Sequence, residues 1–126
     1  MRYSKVFLID DDQDDQELFL MALEQIDPSL ECTVHSDAKT ALQAIRGAPA
    51  PPDVIFLDLN MPLMTGQQFL AELNKQTATS KIPVIILSTS SDQPSIDETR
   101  ALGAERFITK PNNFKELNNI LKKILV

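Results

Sequence analysis

The chain has a single cysteine, no positively charged leader running into an apolar core, and no apolar run near membrane-spanning length. With Cys32 alone, an internal disulfide is excluded. The missing leader and missing span lead to the expectation of a cytoplasmic protein with no membrane attachment. A basic face is also lacking. Net charge is −6, and the only basic pair, Lys122–Lys123, suits the end of a helix, where cations are stabilised by the macrodipole. Direct binding of nucleic acid by this chain is therefore not expected. Internal repeats and low-complexity tracts are absent as well.

What is present is ordinary globular composition in 126 residues, 43% hydrophobic and 24% charged, consistent with one domain over 1–126. A chain of this size buries roughly two-thirds of its unfolded surface, enough for a core without staples. Apolar runs alternate with helical patterns along the whole length, which predicts an α/β fold around a parallel sheet. The strand candidates are Lys5–Asp10, Leu30–Ser36, Asp53–Leu57, Pro83–Ser88 and Arg106–Thr109. Val54–Leu57 and Val84–Leu87 are continuously apolar, as strands covered on both faces are. Leu30–Ser36 alternates and reads as an edge.

Five helices are expected between and after them. Leu18, Phe19, Ala22, Leu23 and Ile26 form one stripe at helical spacing. Ala38, Ala41, Leu42 and Ile45 form a second, with Asp37 as N-cap and Gly47 as the stop. Phe69, Leu70 and Leu73 form a third. The fourth runs from Pro94 to Gly103 and has only Ile96, Ala101 and Leu102 to bury, so weak docking is expected. Phe114, Leu117, Ile120, Leu121 and Ile124 form the fifth. "GAPAPPD" (47–53) is a loop within one domain. The chain ends at Val126, just after the fifth helix, so no effector domain is expected to follow.

In such sheets ligands bind beyond the carboxyl ends of the strands. Those ends hold Asp10, Asp11, Asp58, Ser88 and Lys110. Three carboxylates brought together need a proton or a cation, and hard oxygen donors suit Mg²⁺. One carboxylate can then attack a phosphoryl group, with the ammonium and hydroxyl holding its oxygens. Asp58 is the nucleophile candidate because it follows the most apolar central strand.

Five of the six residues from Asp10 to Asp15 are aspartates. An EF-hand starting at Asp10 would need Gly at its sixth position and Glu at its twelfth, where the chain has Asp15 and Met21. A solvated first helical turn explains Asp12, Asp14 and Asp15 better. Those three are expected to face water, and replacing Asp15 is expected to leave any phosphorylation nearly intact. Replacing Asp11 with Ala is expected to abolish it largely. His35 is expected to be an exposed polar residue and Cys32 a small core residue. Pro62 and Gly66 are read as punctuation that shapes the loop after Asp58.

"VFLIDDD", "VIFLDLNMPLMTG", "PVIILSTSS" and "GAERFITKP" together resemble the four signature blocks of response-regulator receiver domains. The resemblance covers essentially the whole chain. It implies a doubly wound, flavodoxin-like sheet of order 2-1-3-4-5 flanked by five helices. It implies that Asp58 is the phosphoacceptor and that Asp10, Asp11, Asp58 and the backbone carbonyl of Asn60 hold Mg²⁺. It further implies that Lys110 pairs with Asp58 and then with the phosphoryl group, and that the Lys110–Pro111 bond is cis. Ser88 and Phe107 would form the switch pair, while Asn60, Thr89 and Ser90 would tune dephosphorylation.

Output would then appear on the face of the fourth helix, fifth strand and fifth helix. Implied partners are a sensor histidine kinase or histidine phosphotransfer protein and a downstream protein target. The resemblance also admits a phosphorylation-dependent homodimer. The module would be no enzyme beyond its own phosphorylation and dephosphorylation. Ser88 stands where Thr is frequent, Thr89 where Ala is frequent, and Phe107 where Tyr is frequent. An aspartyl-phosphate hydrolase of the haloacid dehalogenase type is the alternative, but it wants a general-acid Asp at the position of Asn60. A receiver-like scaffold that is never phosphorylated is a second alternative, against which the intact Asp10, Asp11, Asp58, Ser88 and Lys110 set argues.

Overall fold

The computed structural model describes residues 3–126. Its strands are the apolar runs: β1 (Lys5–Ile9), β2 (Glu31–His35), β3 (Val54–Leu57), β4 (Val84–Ser88) and β5 (Arg106–Thr109). They pair in parallel in the order β2-β1-β3-β4-β5, the expected order. The helices are α1 (Gln13–Ile26), α2 (Ala38–Gly47), α3 (Gly66–Asn74), α4 (Thr77–Ser80), α5 (Gln93–Ala101) and α6 (Phe114–Leu125).

That count corrects the expectation of five helices. The additional α4 is four residues long and has no side-chain cap. It is held by Thr79, whose buried hydroxyl donates to the Leu73 carbonyl at 2.6 Å, so no apolar stripe announces it in the sequence. The fourth and fifth helices of the sequence reading are therefore α5 and α6.

Side chains on a strand alternate between faces, and this splits the continuous apolar runs between two cores. Ile9, Ile55, Leu57, Val84 and Ile86 pack with Ala41, Leu42, Phe69 and Leu70 beneath α2 and α3. Val6, Leu8, Val54, Phe56, Ile85 and Leu87 pack with Phe19, Leu23, Leu117 and Leu121 beneath α1 and α6. Phe19 and Phe56 meet edge-on at 5.1 Å between ring centroids. Asp53 ties the start of β3 to β1: its Oδ2 accepts from the Ser4 and Lys5 amides at 2.8 Å and from the Ser4 hydroxyl. Those donors hold its carboxyl below the usual range.

Local chemistry sets the helix ends. Asp12, Asp37, Thr65, Asp92 and Asn113 each accept a hydrogen bond at their helix N-terminus, leaving only α4 without a side-chain cap. α5 closes in a Schellman motif: Gly103 adopts φ +98°, its amide donates to Arg100 and that of Ala104 to Thr99.

Two further expectations are corrected. His35 is half-buried rather than exposed, with its ring 5.3 Å from that of Phe7 and its Nε2 enclosed without a partner. Burial holds its pKa below the ordinary value. No cis peptide occurs among the described residues, so the Lys110–Pro111 bond is trans, the isomer that X–Pro bonds favour by about 0.5–1 kcal/mol. Cys32 lies partly buried against the core, and burial pushes its thiol up to about 12, far from thiolate reactivity. Among the described residues no helix is long and apolar enough to cross a membrane.

Candidate functional site

Parallel winding brings the carboxyl ends of β1, β3, β4 and β5 to one edge of the sheet, and there the polar residues of the interior collect. Asp10 is 2% exposed, Asp58 6% and Ser88 0%, in a molecule whose other buried side chains are almost all apolar. Backbone bonds between neighbouring strand ends fix them: the Asp58 amide donates to Ile9, and the Lys110 amide to Ser88.

Lys110 lies at the centre. Its Nζ is 2.9 Å from Asp10 Oδ2, 2.7 Å from Asp15 Oδ2 and 3.3 Å from Asp58 Oδ2, and its side chain is only 12% exposed. Burial alone would lower the pKa of this amine. The hydrogen bonds to Asp10 and Asp15 outweigh that and hold it above the ordinary lysine value, so the ammonium persists at neutral pH. For Asp10 burial wins: its carboxyl is pushed above the usual range, against the lowering pull of Lys110 and the Asp12 amide.

The loop after β3 wraps closely. Asn60 donates its amide to Asp58 Oδ1 at 3.3 Å, and its Nδ2 to Ser90 Oγ at 2.7 Å. The Ser90 amide in turn reaches Ser88 Oγ at 3.3 Å. Gly66 permits this path, because a Cβ there would lie 2.8 Å from the Asp58 carbonyl oxygen and 2.9 Å from Leu59 Cα. Thr89 and Asn60 are exposed, whereas Phe107 is half-buried against the core under α2 and α3.

Oxygens of Asp10, Asp11 and Asp58 all lie within 4.8 Å of one another. With Asp15 nearby, four carboxylates gather here, and three of them, Asp10, Asp15 and Asp58, contact the one ammonium. That excess of negative charge, made of hard oxygen donors with Asp11 open to solvent, fits a divalent cation.

The structure thus brings together Asp10, Asp11, Asp58 and Lys110 and places Ser88 beside them at the end of β4. It corrects one expectation: Asp15 does not simply face water but makes the shortest contact to Lys110. Asp12 caps α1, and Asp14 is exposed, as expected. Gln16 was not singled out in the sequence, yet its Nε2 donates to the Asp10 carbonyl and to Ser36 Oγ. The signal for both residues is helical spacing, which turns positions 15 and 16 of the first turn inward while 14 and 17 point out.

Comparison with known proteins gives a consistent picture. The family model described as the response regulator receiver domain matches residues 6–122. Response regulator Rcp1 of Synechocystis is 26% identical over 125 residues, covering 94% of this chain and 84% of that protein. The crystal structure of a phosphorylated cyanobacterial phytochrome response regulator, RcpA, superposes with TM-score 0.89 at 32% identity, covering 97% of this chain and 91% of that one. The Mn²⁺-bound form of Rcp1 superposes with TM-score 0.86 at 25% identity, covering 96% and 91%. Against a protein-glutamate methylesterase of Methanococcoides burtonii, 32% identical, this chain matches only 32% of the length.

Proposed function

The chain belongs to the response regulator receiver family, the phosphoacceptor modules of two-component signalling, and from that membership we propose that Asp58 is the residue that takes the phosphoryl group. The observation that carries this is the buried Asp58 carboxylate with one oxygen on the Lys110 ammonium and the other on the Asn60 amide. A carboxylate oxygen of Asp58 attacks phosphorus. The bond from phosphorus to the donor, the nitrogen of a phosphohistidine, breaks, and an acyl phosphate forms on Asp58 while the imidazole leaves. Lys110 stabilises the charge on the phosphoryl oxygens, and Ser88, at the end of β4, offers its hydroxyl to one of them. Asp10, Asp11 and Asp58, with the Asn60 carbonyl, would hold the divalent ion, for which we propose Mg²⁺. When bound, that ion neutralises the clustered carboxylates and the phosphoryl oxygens.

The donor would be a sensor histidine kinase or a histidine phosphotransfer protein. Output would pass through the face of α5, β5 and α6 to a downstream protein, with Ser88 and Phe107 coupling the site to that face and Asn60, Thr89 and Ser90 setting the phosphate lifetime. The module turns over only its own aspartyl phosphate. Intact-mass measurement after incubation with Mg²⁺ and acetyl phosphate tests this. One phosphoryl adduct is expected, absent in Asp58→Asn. Rapid hydrolysis of free phosphoesters would instead support the hydrolase alternative, and an unmodified wild type the scaffold.

A further inference from the structure

A lysine ammonium has three N–H donors, and around Lys110 stand three carboxylate oxygens, from Asp10, Asp15 and Asp58. They are not equivalent. The longest contact, 3.3 Å, goes to Asp58, and the shortest, 2.7 Å, goes to Asp15. Asp10 and Asp58 belong to the group of oxygens that converges for a cation; Asp15 does not. It comes instead from the first turn of α1, where the Asp15 amide is itself held by Asp12 Oδ1 at 3.1 Å. The two side chains also share the rim of a cavity of about 150 Å³ whose walls include Leu8, Phe19, Phe114 and Leu117. Apolar walls lower the local dielectric and strengthen an ion pair beside them.

During phosphorylation Asp58 becomes an acyl phosphate, and Asp10 faces the cation. Asp15 alone keeps an uncommitted carboxylate on Lys110 through the cycle. A lysine stem is flexible, so where its ammonium rests depends on the partners that hold it. We infer that Asp15 is a positioning residue for phosphoryl transfer: it anchors Lys110 Nζ at the mouth of the acidic cluster, and so sets its approach to the phosphoryl oxygens. This rests on the assignment of Asp58 and Lys110 above.

The test uses the whole chain with Mg²⁺ and acetyl phosphate, following the rate of adduct formation, the half-saturating Mg²⁺ concentration and the melting temperature. Asp14→Ala, which removes the same charge one residue away on the exposed side, is the control. Asp15→Ala should slow phosphorylation about five- to tenfold, the scale of one partly exposed charge-assisted hydrogen bond. Half-saturating Mg²⁺ and melting temperature should stay at the wild-type values, and Asp15→Glu should recover most of the rate. Asp15→Asn keeps the side-chain shape and should also slow the reaction, which covers the case of an Ala variant that folds poorly. An Asp15→Ala rate equal to that of Asp14→Ala overturns the inference, as does a slowing fully explained by weaker Mg²⁺ binding. A wild type that carries no phosphoryl group on residue 58 overturns the Asp58 assignment, and this inference with it.

Discussion

α6 and α5 flank the same end of the sheet and are attached to it in opposite ways. α6 buries Leu117, Leu121, Ile124 and Leu125 and packs along α1, which adds Phe19, Ala22 and Leu23. α5 buries only Thr99, whose hydroxyl bonds back to the Ser95 and Ile96 carbonyls of its own helix. Ile96 and Leu102 are half-buried, and Ala101, which the sequence pattern assigns to the core, is exposed. Yet α5 is sealed at both ends, by Asp92 at the start and the Schellman turn at Gly103. A helix with closed ends and a thin face keeps its shape while its position is weakly fixed. One layer is therefore firmly anchored, and the other is the one expected to shift more easily when the site changes.

Substitutions should expose that difference. The largest effect belongs to the platform. Phe19→Ala should cost about 3–5 kcal/mol and Leu121→Ala about 2–5 kcal/mol in urea unfolding, because both leave cavities in fully buried positions. Ile96→Ala on α5 removes as many carbons as Leu121→Ala but should cost about 1 kcal/mol or less. A loss as large as that of Leu121→Ala would erase the distinction.

The smallest effect should be local. The Ser95 amide and hydroxyl hold the Asp92 carboxyl below its usual range. A carboxyl lowered in the folded state stabilises above its unfolded pKa and loses that contribution as pH falls through the lowered folded value. Acidification should therefore loosen the start of α5, seen as a shift of the Ser95 amide resonance. Asp92→Ala should produce the same change at neutral pH while leaving the α6 amides unmoved.

The legible parts of this fold were those in which one physical cause dominates. Short, β-branched apolar runs bounded by proline and polar residues suit strands covered on both sides, so the strands at Val54–Leu57 and Val84–Ser88 are legible to within a residue. The doubly wound order then delivers Asp10, Asp58, Ser88 and Lys110 to one edge. α4 was not legible because a single buried hydroxyl holds it. Nor was the place of Asp15. First-turn acids are explained equally well by water and the helix dipole, and only the three-dimensional path of the lysine from β5 distinguishes Asp15 from Asp14. His35 failed for a related reason: the Phe7 ring of the neighbouring strand lies 5.3 Å from it, a contact that the alternation of β2 alone does not reveal.

The most direct test of the account is to find which residue carries the phosphoryl group. The protein is phosphorylated with acetyl phosphate and Mg²⁺ and then reduced with borohydride, which converts an aspartyl phosphate into homoserine. Peptide mass spectrometry should find homoserine at position 58 and aspartate still present at 10, 11 and 15. Homoserine at any of those three, or at no position in a protein that carries the adduct, would contradict it.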